Sequence, residues 1–377
     1  MKIVADDKIP FLAGALEPYA EVAYLPGKQI DRDAIKDADA LLIRTRTQCS
    51  EDLLEGTMIR FIGTATIGFD HIDTQYCAMN KIIWTNAPGC NSSSVQQYIA
   101  AALLKISSEY RFNLKDKTLG IIGVGNVGSK VEKFARTLGM NVMLNDPPRS
   151  RLEGKKNFYS LDTVLAESDI VTVHVPLNKT DEDCTFHLFD KDRFRKIKTG
   201  TWFLNSSRGE VADSKALKEA LNSGKLAGAV IDVWENEPQV DLELMRHSYI
   251  ATPHIAGYST DGKANGTAMV VNSLSRYFSL PLENWYPVYI QPPVSPFISI
   301  DCSGKPDEEI IREAVFQTYN IEEDDVQLRL SPNDFEKLRG DYPVRREFTS
   351  FTVNLKGGTD KVRQMLETIG FRIKVLT

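Results

Sequence analysis

Apolar runs of strand length, each closed by a polar turn, recur along the N-terminal segment as KIVAD, ADALLIRT, MIRFIGTAT and KIIWTNA. They predict strands alternating with helices. Residues 92–112 open on serines suited to capping and then space apolar residues at the helical period, so a long helix should leave this first unit. A second unit starts with KTLGIIGVGNVGSKVEKFARTLGMNVMLND, residues 117–146, which reads strand, glycine turn, helix, strand. Further strands are expected at 169–177, 201–207, 226–234 and 248–254, with a helix at 213–223 among them. A long helix over 258–280 can carry the chain back toward the first unit. Pro281, Pro287, Pro292, Pro293 and Pro296 then mark a stiff connector. Beyond it, KPDEEIIREAVFQTYN starts like a helix, and EFTSFTVNLKGGTDKVRQMLETIGFRIKVL reads strand, Gly-Gly turn, helix ending at Gly370, strand.

The 377 residues, 42% hydrophobic and 25% charged, describe a soluble globular chain too long for one core. Three domains are expected: residues 1–95 with 256–285, residues 96–255, and residues 286–377. A net charge of −6 gives no general attraction to nucleic acid or to an anionic membrane. The partner should be small. Five cysteines without a C-x-x-C pair suggest neither a disulfide framework nor a zinc site, so no metal is expected. The N-terminus turns charged after four residues and no long apolar run follows, which leaves signal peptide and membrane span unsupported and favours the cytoplasm.

Gly123, Gly125 and Gly128 spell G-x-G-x-x-G. Alone that pattern is weak, because tight glycine turns are common. Its context is a strand before, a helix behind, and a second strand ending in Asp146. The glycines let the backbone approach a pyrophosphate, and the helix start through Asn126 and Val127 offers free N–H groups and a positive dipole. Asp146 can accept ribose hydroxyl groups and would repel a 2′-phosphate, which favours NAD over NADP; Arg149 close behind leaves that preference open.

Ligands of such sheets sit beyond the carboxyl ends of the strands, and three apolar runs there lead into ionisable residues: Arg208 in NSSRGE, Glu237 in DVWENEP and His254 in TPHIAGY. A neutral histidine can take a hydroxyl proton, a carboxylate on its other ring nitrogen stabilises the imidazolium, and arginine can grip a carboxylate with two parallel hydrogen bonds. Together they suit oxidation of an alcohol that carries a negative charge. Arg44 and Arg46 close a first-unit strand, and two cations there suit phosphate; each could equally be a surface arginine paired with local acids. Arg345 and Arg346 stay open between part of a neighbour's pocket and a solvated edge. His71, His174, His187 and His247 lack an assembled set of partners and are read as structural or surface residues. Cys90 is assigned no chemistry.

GIIGVGNVG, NSSRGEVAD, DVWENEP and TPHIAGYS, in this order and spacing, resemble the D-isomer-specific 2-hydroxyacid dehydrogenase family over residues 1 to about 285. The resemblance implies an α/β protein: a Rossmann-type NAD domain, a split flavodoxin-like catalytic domain, and a small α+β C-terminal domain. It puts His254, Glu237 and Arg208 at the places of the catalytic base, its carboxylate partner and the substrate-binding arginine. GTATIGFDHID, NAPGCNSSSV, DPPR, HIAGYSTDGKANGT and YPVRREF resemble a branch of the family that acts on a small phosphorylated 2-hydroxy acid. By that resemblance Thr45, Thr66 and Tyr258 contact substrate, Asp146, Asp232 and Gly257 contact NAD, and the C-terminal domain holds a homodimer. Val175 stands where relatives can present a hydroxyl, so at most a backbone contact to the cofactor is implied. A sibling enzyme of the phosphoglycerate or hydroxypyruvate type would share the catalytic set, and an NAD-sensing binding protein would not need all of it.

Overall fold

The computed structural model describes residues 1–376, which form two compact units, Met1–Asn91 with Ser259–Gln291 and Ser92–Tyr258 with the segment from Pro292 onward. The first unit holds five parallel strands: β1 (Lys2–Asp6), β2 (Glu21–Leu25), β3 (Ala40–Ile43), β4 (Phe61–Thr64) and β5 (Ile83–Thr85). Their order, β2-β1-β3-β4-β5, is the flavodoxin-like one. Alternate residues serve opposite faces. Val4, Leu41 and Ile62 pack with Leu54 and Cys77, whereas Ile3, Leu42 and Phe61 pack with Val270 and Leu274 of the returning Thr260–Phe278 helix. Gly63 makes that second face possible, since a Cβ there would lie 2.6 Å from Val270 Cγ1.

The second unit contains β6 (Thr118–Ile122), β7 (Asn141–Asn145), β8 (Ile170–Val173), β9 (Thr201–Asn205), β10 (Leu226–Ile231) and β11 (Ile250–Ala251), all parallel, in the order β11-β10-β9-β8-β6-β7. The order reverses at β6, so its carboxyl end lies beside the switch point. Leu119 and Ile121 face one core with the Ser92–Glu109 and Asn126–Thr137 helices; Ile122, Val171 and Phe203 face the other. That first core continues into the C-terminal residues. Ile298, Ile311, Val353 and Leu366 belong to it, carried by β12 (Phe297–Asp301), β13 (Thr352–Lys356) and the helices that link these strands and β14 (Arg372–Leu376). These three strands form a small parallel sheet, β12-β13-β14.

Three elements differ from the sequence expectation. β2, half-buried along most of its length, and β12, which buries only Ile298 and Ile300, are edge strands that the apolar runs do not single out. The run at 248–254 yields only a two-residue strand, because Pro253 has no N–H to pair and His254 turns into the left-handed region at φ 56°. Thr377 lies outside the described residues. Among the described residues, no helix is long and apolar enough to cross a membrane and no cluster could hold a metal ion.

Candidate active site

The glycine turn sits at the end of β6 with each glycine in a different condition. Gly123 has φ 87°, and a Cβ there would lie 2.7 Å from the His174 carbonyl oxygen; at Gly128 it would lie 2.1 Å from the Gly123 carbonyl oxygen. Both are required by close packing. Nothing lies within 4 Å of the Cβ position of Gly125, so the turn is open where a pyrophosphate would approach. Gly125 caps the Asn126–Thr137 helix without a side-chain bond, which leaves the N–H groups near Asn126 and Val127 available to an anion. Asp146 closes β7 beside this turn. Its Oδ2 accepts from Val124 N at 2.8 Å and its Oδ1 from Arg149 N at 3.0 Å. Arg149 is occupied: its Nη1 donates to the Val124 carbonyl at 2.6 Å and its Nε and Nη2 to Glu153 at 2.6 and 2.9 Å. A guanidinium so engaged is poorly placed to receive a 2′-phosphate. The turn, the uncapped helix and the carboxylate fit NAD. Val175 packs beside Gly123, its Cγ1 2.9 Å from that Cβ position.

Arg208, Glu237 and His254 follow the carboxyl ends of the adjacent strands β9, β10 and β11. Gly209 brings the first two loops together, since its Cβ position lies 2.1 Å from the Trp234 carbonyl carbon, closer than any side chain permits. Arg208 is half-buried, its Nη1 donating to the Ser207 carbonyl at 2.9 Å, while Asn205 Nδ2 donates to the Arg208 carbonyl at 3.0 Å. Glu237 Oε1 accepts from Trp234 N at 3.0 Å, and Oε2 lies 2.7 Å from His254 Nδ1. Burial pushes the Glu237 carboxyl up, but His254, the Trp234 N–H and the charge of Arg339 outweigh it and hold the group below the usual carboxylate range. With Nδ1 engaged, Nε2 is the ring nitrogen left to exchange a proton.

Asp232 lies beneath this loop, 1% exposed. Its Oδ1 accepts from Thr252 Oγ1 at 2.6 Å and Ile255 N at 2.8 Å, and its Oδ2 from Ala256 N at 2.9 Å. The residue expected to contact NAD therefore spends both oxygens on the chain around His254. Gly257 and Tyr258 continue the same turn, closed by Tyr258 N donating to the Ile255 carbonyl at 2.7 Å. The Tyr258 ring packs edge-on against Tyr342, with centroids 5.8 Å apart, and Arg339 lies 5.5 Å from its centre.

Arg44, Thr45, Arg46 and Thr66 belong to the other compact unit, beyond the carboxyl ends of β3 and β4. Thr45 and Arg46 are exposed; Arg44 is half-buried, with Nη1 donating to the Lys8 carbonyl at 3.2 Å; Thr66 Oγ1 donates to the Gly68 carbonyl at 3.0 Å. Two readings of the sequence need correction. His187 does have a carboxylate partner, Glu235 Oε1 at 2.6 Å, contributed by a loop forty-eight positions away that its own stretch could not reveal. Arg345 is neither a solvated edge nor part of a neighbour's pocket: it is buried in its own chain and bonded to carbonyl groups beside His254. Arg346 supplies a backbone carbonyl to Gln97 Nε2 at 3.0 Å. Trp234 and Arg339 join the site with no signal in the sequence except, for Trp234, a place inside DVWENEP.

Residues 93–256 match the model of the D-isomer specific 2-hydroxyacid dehydrogenase NAD binding domain, and residues 292–370 match one described only as a domain of unknown function (DUF3410). The erythronate-4-phosphate dehydrogenase of Bacteroides thetaiotaomicron is 50% identical over 94% of this chain and 99% of its own length. The chain belongs to the erythronate-4-phosphate dehydrogenase family. Members from Porphyromonas gingivalis and Proteus mirabilis are 41% and 39% identical, each over 98% of this chain. Outside the erythronate-4-phosphate dehydrogenases, the solved D-lactate dehydrogenase of Aquifex aeolicus, complexed with NAD and lactic acid, superposes with a TM-score of 0.63 at 26% identity. It covers 77% of this chain and is itself covered completely. As a family member the chain is an NAD-dependent dehydrogenase.

Proposed function

We propose that the enzyme oxidises 4-phospho-D-erythronate at C2 to (R)-3-hydroxy-2-oxo-4-phosphooxybutanoate, a step of pyridoxal 5′-phosphate biosynthesis. The observation that carries the substrate is the near-full-length likeness, C-terminal region included, to enzymes named for it. Bound NAD supplies the hydride acceptor. His254 Nε2 takes the hydroxyl proton, and the Glu237 carboxylate, 2.7 Å from Nδ1, holds the tautomer and stabilises the imidazolium. Arg208 holds the substrate carboxylate and fixes which face of C2 is presented. Arg44 and Arg46 take the distal phosphate, with Thr45, Thr66 and Tyr258 completing the substrate contacts. Gly123, Gly125, Asn126, Val127 and Gly128 hold the pyrophosphate, Asp146 the ribose, and Val175 and Gly257 give backbone contacts. Asp232 supports the cofactor's edge of the site through the His254 loop.

We place the enzyme in the cytoplasm as a homodimer. All five cysteines are free thiols, which suits a reducing compartment. Val294 and Phe297, 101% and 67% exposed at the start of the C-terminal sheet, are apolar groups that a second copy could cover. The deciding experiment offers NAD with 2-hydroxy acids bearing or lacking a terminal phosphate. 4-Phospho-D-erythronate should give the highest kcat/KM; equal or better turnover of 3-phosphoglycerate or an unphosphorylated acid would overturn the assignment.

A further inference from the structure

His254 is held in the left-handed backbone region at φ 56°, which a residue with a side chain keeps only where its surroundings impose it. The restraint acts on the backbone of the next two residues from both sides. Their N–H groups donate to Asp232, as described, and their carbonyl oxygens accept from Arg345. Nη1 of Arg345 lies 3.3 Å from the Ile255 oxygen, and Nη2 lies 2.5 Å from the Ala256 oxygen and 2.9 Å from the Ser94 oxygen. The Ile255 oxygen is also the acceptor that closes the turn to Tyr258.

Arg345 is 5% exposed, with its guanidinium carbon 4.3 Å from the centre of the Tyr319 ring. Its Nη1 reaches the Tyr342 hydroxyl at 3.4 Å, and the Tyr342 and Tyr319 hydroxyls both donate to Asp324 Oδ2 at 2.7 Å. The buried cation thus has a counter-charge one hydroxyl away, as a buried charge needs. Its planar fork holds three carbonyl groups at once, a task no single ammonium can copy.

We propose that Arg345, supplied by the C-terminal region of the same chain, is a positioning residue that sets the place of the His254 imidazole by fixing the Ile255 and Ala256 peptide groups. This rests on the reading of His254 as the acid/base. It also gives the C-terminal region a part in turnover that does not depend on a second subunit.

Arg345→Lys and Arg345→Ala are made in the full-length enzyme, with His254→Gln in parallel. Arg345→Lys should lose about tenfold in kcat, with KM for NAD and for 4-phospho-D-erythronate within about twofold, because position and not affinity is lost. Arg345→Ala should lose about a hundredfold, and millimolar methylguanidinium should recover about tenfold of that while leaving the parent unchanged. Backbone amide exchange, read without substrate, should quicken at Ile255 and Ala256 in both variants and stay as in the parent along β6. Should Arg345→Ala fail to fold, Arg345→Lys decides. Parental kcat with parental exchange at 255 and 256 would overturn the proposal, as would a loss that methylguanidinium cannot rescue in a folded Arg345→Ala. Full turnover in His254→Gln would instead remove the acid/base reading, and with it this role in catalysis, whatever the exchange data show of the loop.

Discussion

Glu237 Oε2 and His254 Nδ1 lie 2.7 Å apart although the two residues close different strands of the nucleotide-binding sheet. The carboxyl is held below its usual range, so it stays ionised as pH falls through that range, and its contribution to stability is lost only as pH falls through the lowered folded value. His254→Ala should lower kcat about 10²- to 10⁴-fold without unfolding the protein. Glu237→Gln should lower it too, and should move the acid limb of the oxidation profile to lower pH, since a neutral neighbour no longer favours the protonated ring. Parental turnover in a folded His254→Ala enzyme would sink the assignment.

The contact between Gly209 and Trp234 tests whether the site depends on two loops packed backbone to backbone. Gly209→Ala puts a methyl group 2.1 Å from a backbone carbon that cannot step aside. Urea unfolding should show a loss of about 1–3 kcal/mol, accompanied by at least a tenfold fall in kcat/KM. Gly340→Ala, with nothing within 4 Å, is the control and should stay within about 0.5 kcal/mol of the parent. Equal stability of the two variants would show that the loops part freely.

Asp146 bears on cofactor choice. Asp146→Ala should weaken NAD about tenfold and relax the rejection of NADP, as measured by isothermal titration. Part of the change will be structural, because the carboxylate also caps the Pro147–Glu153 helix and binds Val124 N. An unchanged ratio between the two cofactors would mean that Asp146 does not read the ribose.

For the phosphate, Arg44→Ala and Arg46→Ala should raise KM for 4-phospho-D-erythronate with little effect on an unphosphorylated 2-hydroxy acid. A charge-assisted hydrogen bond contributes roughly 1.5–3 kcal/mol, so kcat/KM should fall about tenfold to a hundredfold, less where solvent screens the pair. A double variant that keeps the parent's preference would show that the phosphate is held elsewhere.

Truncation after residue 285 should leave a poorly soluble remnant. Ile99, Leu103 and Phe134 of the nucleotide-binding unit share one core with Ile311, Val353 and Leu366, and removing the latter bares apolar surface. Light scattering of the full chain should give twice 42.3 kDa. A monodisperse truncated dimer would refute the first expectation and the C-terminal seat of the dimer, and a full chain of 42.3 kDa would refute the second.

Much of this protein is legible in its residue order. Gly123, Gly125 and Gly128 stand between an apolar run and a helical repeat, a local arrangement whose backbone demands are written in consecutive residues. Arg208, Glu237 and His254 each follow such a run, and strand ends in a parallel sheet converge on one edge, so residues far apart in the chain could be grouped by rule. The edge strands β2 and β12 are not singled out: β2 is only half-buried along its length, and β12 buries just the alternate residues Ile298 and Ile300.

What the chain's order could not disclose is how the His254 loop is held. Asp232 sits in an apolar run, and Arg345 beside Arg346 reads as a solvated edge or part of a neighbour's pocket, yet the two grip opposite sides of the backbone of Ile255 and Ala256. Arg345 and Ala256 are 89 positions apart, and Arg345 and Ser94 251 apart. Such a bond depends on where folded elements bring a guanidinium, on the water excluded around it and on the counter-charge placed behind it. A linear pattern of apolar and polar residues carries no record of those three, and only the packed tertiary structure sets them.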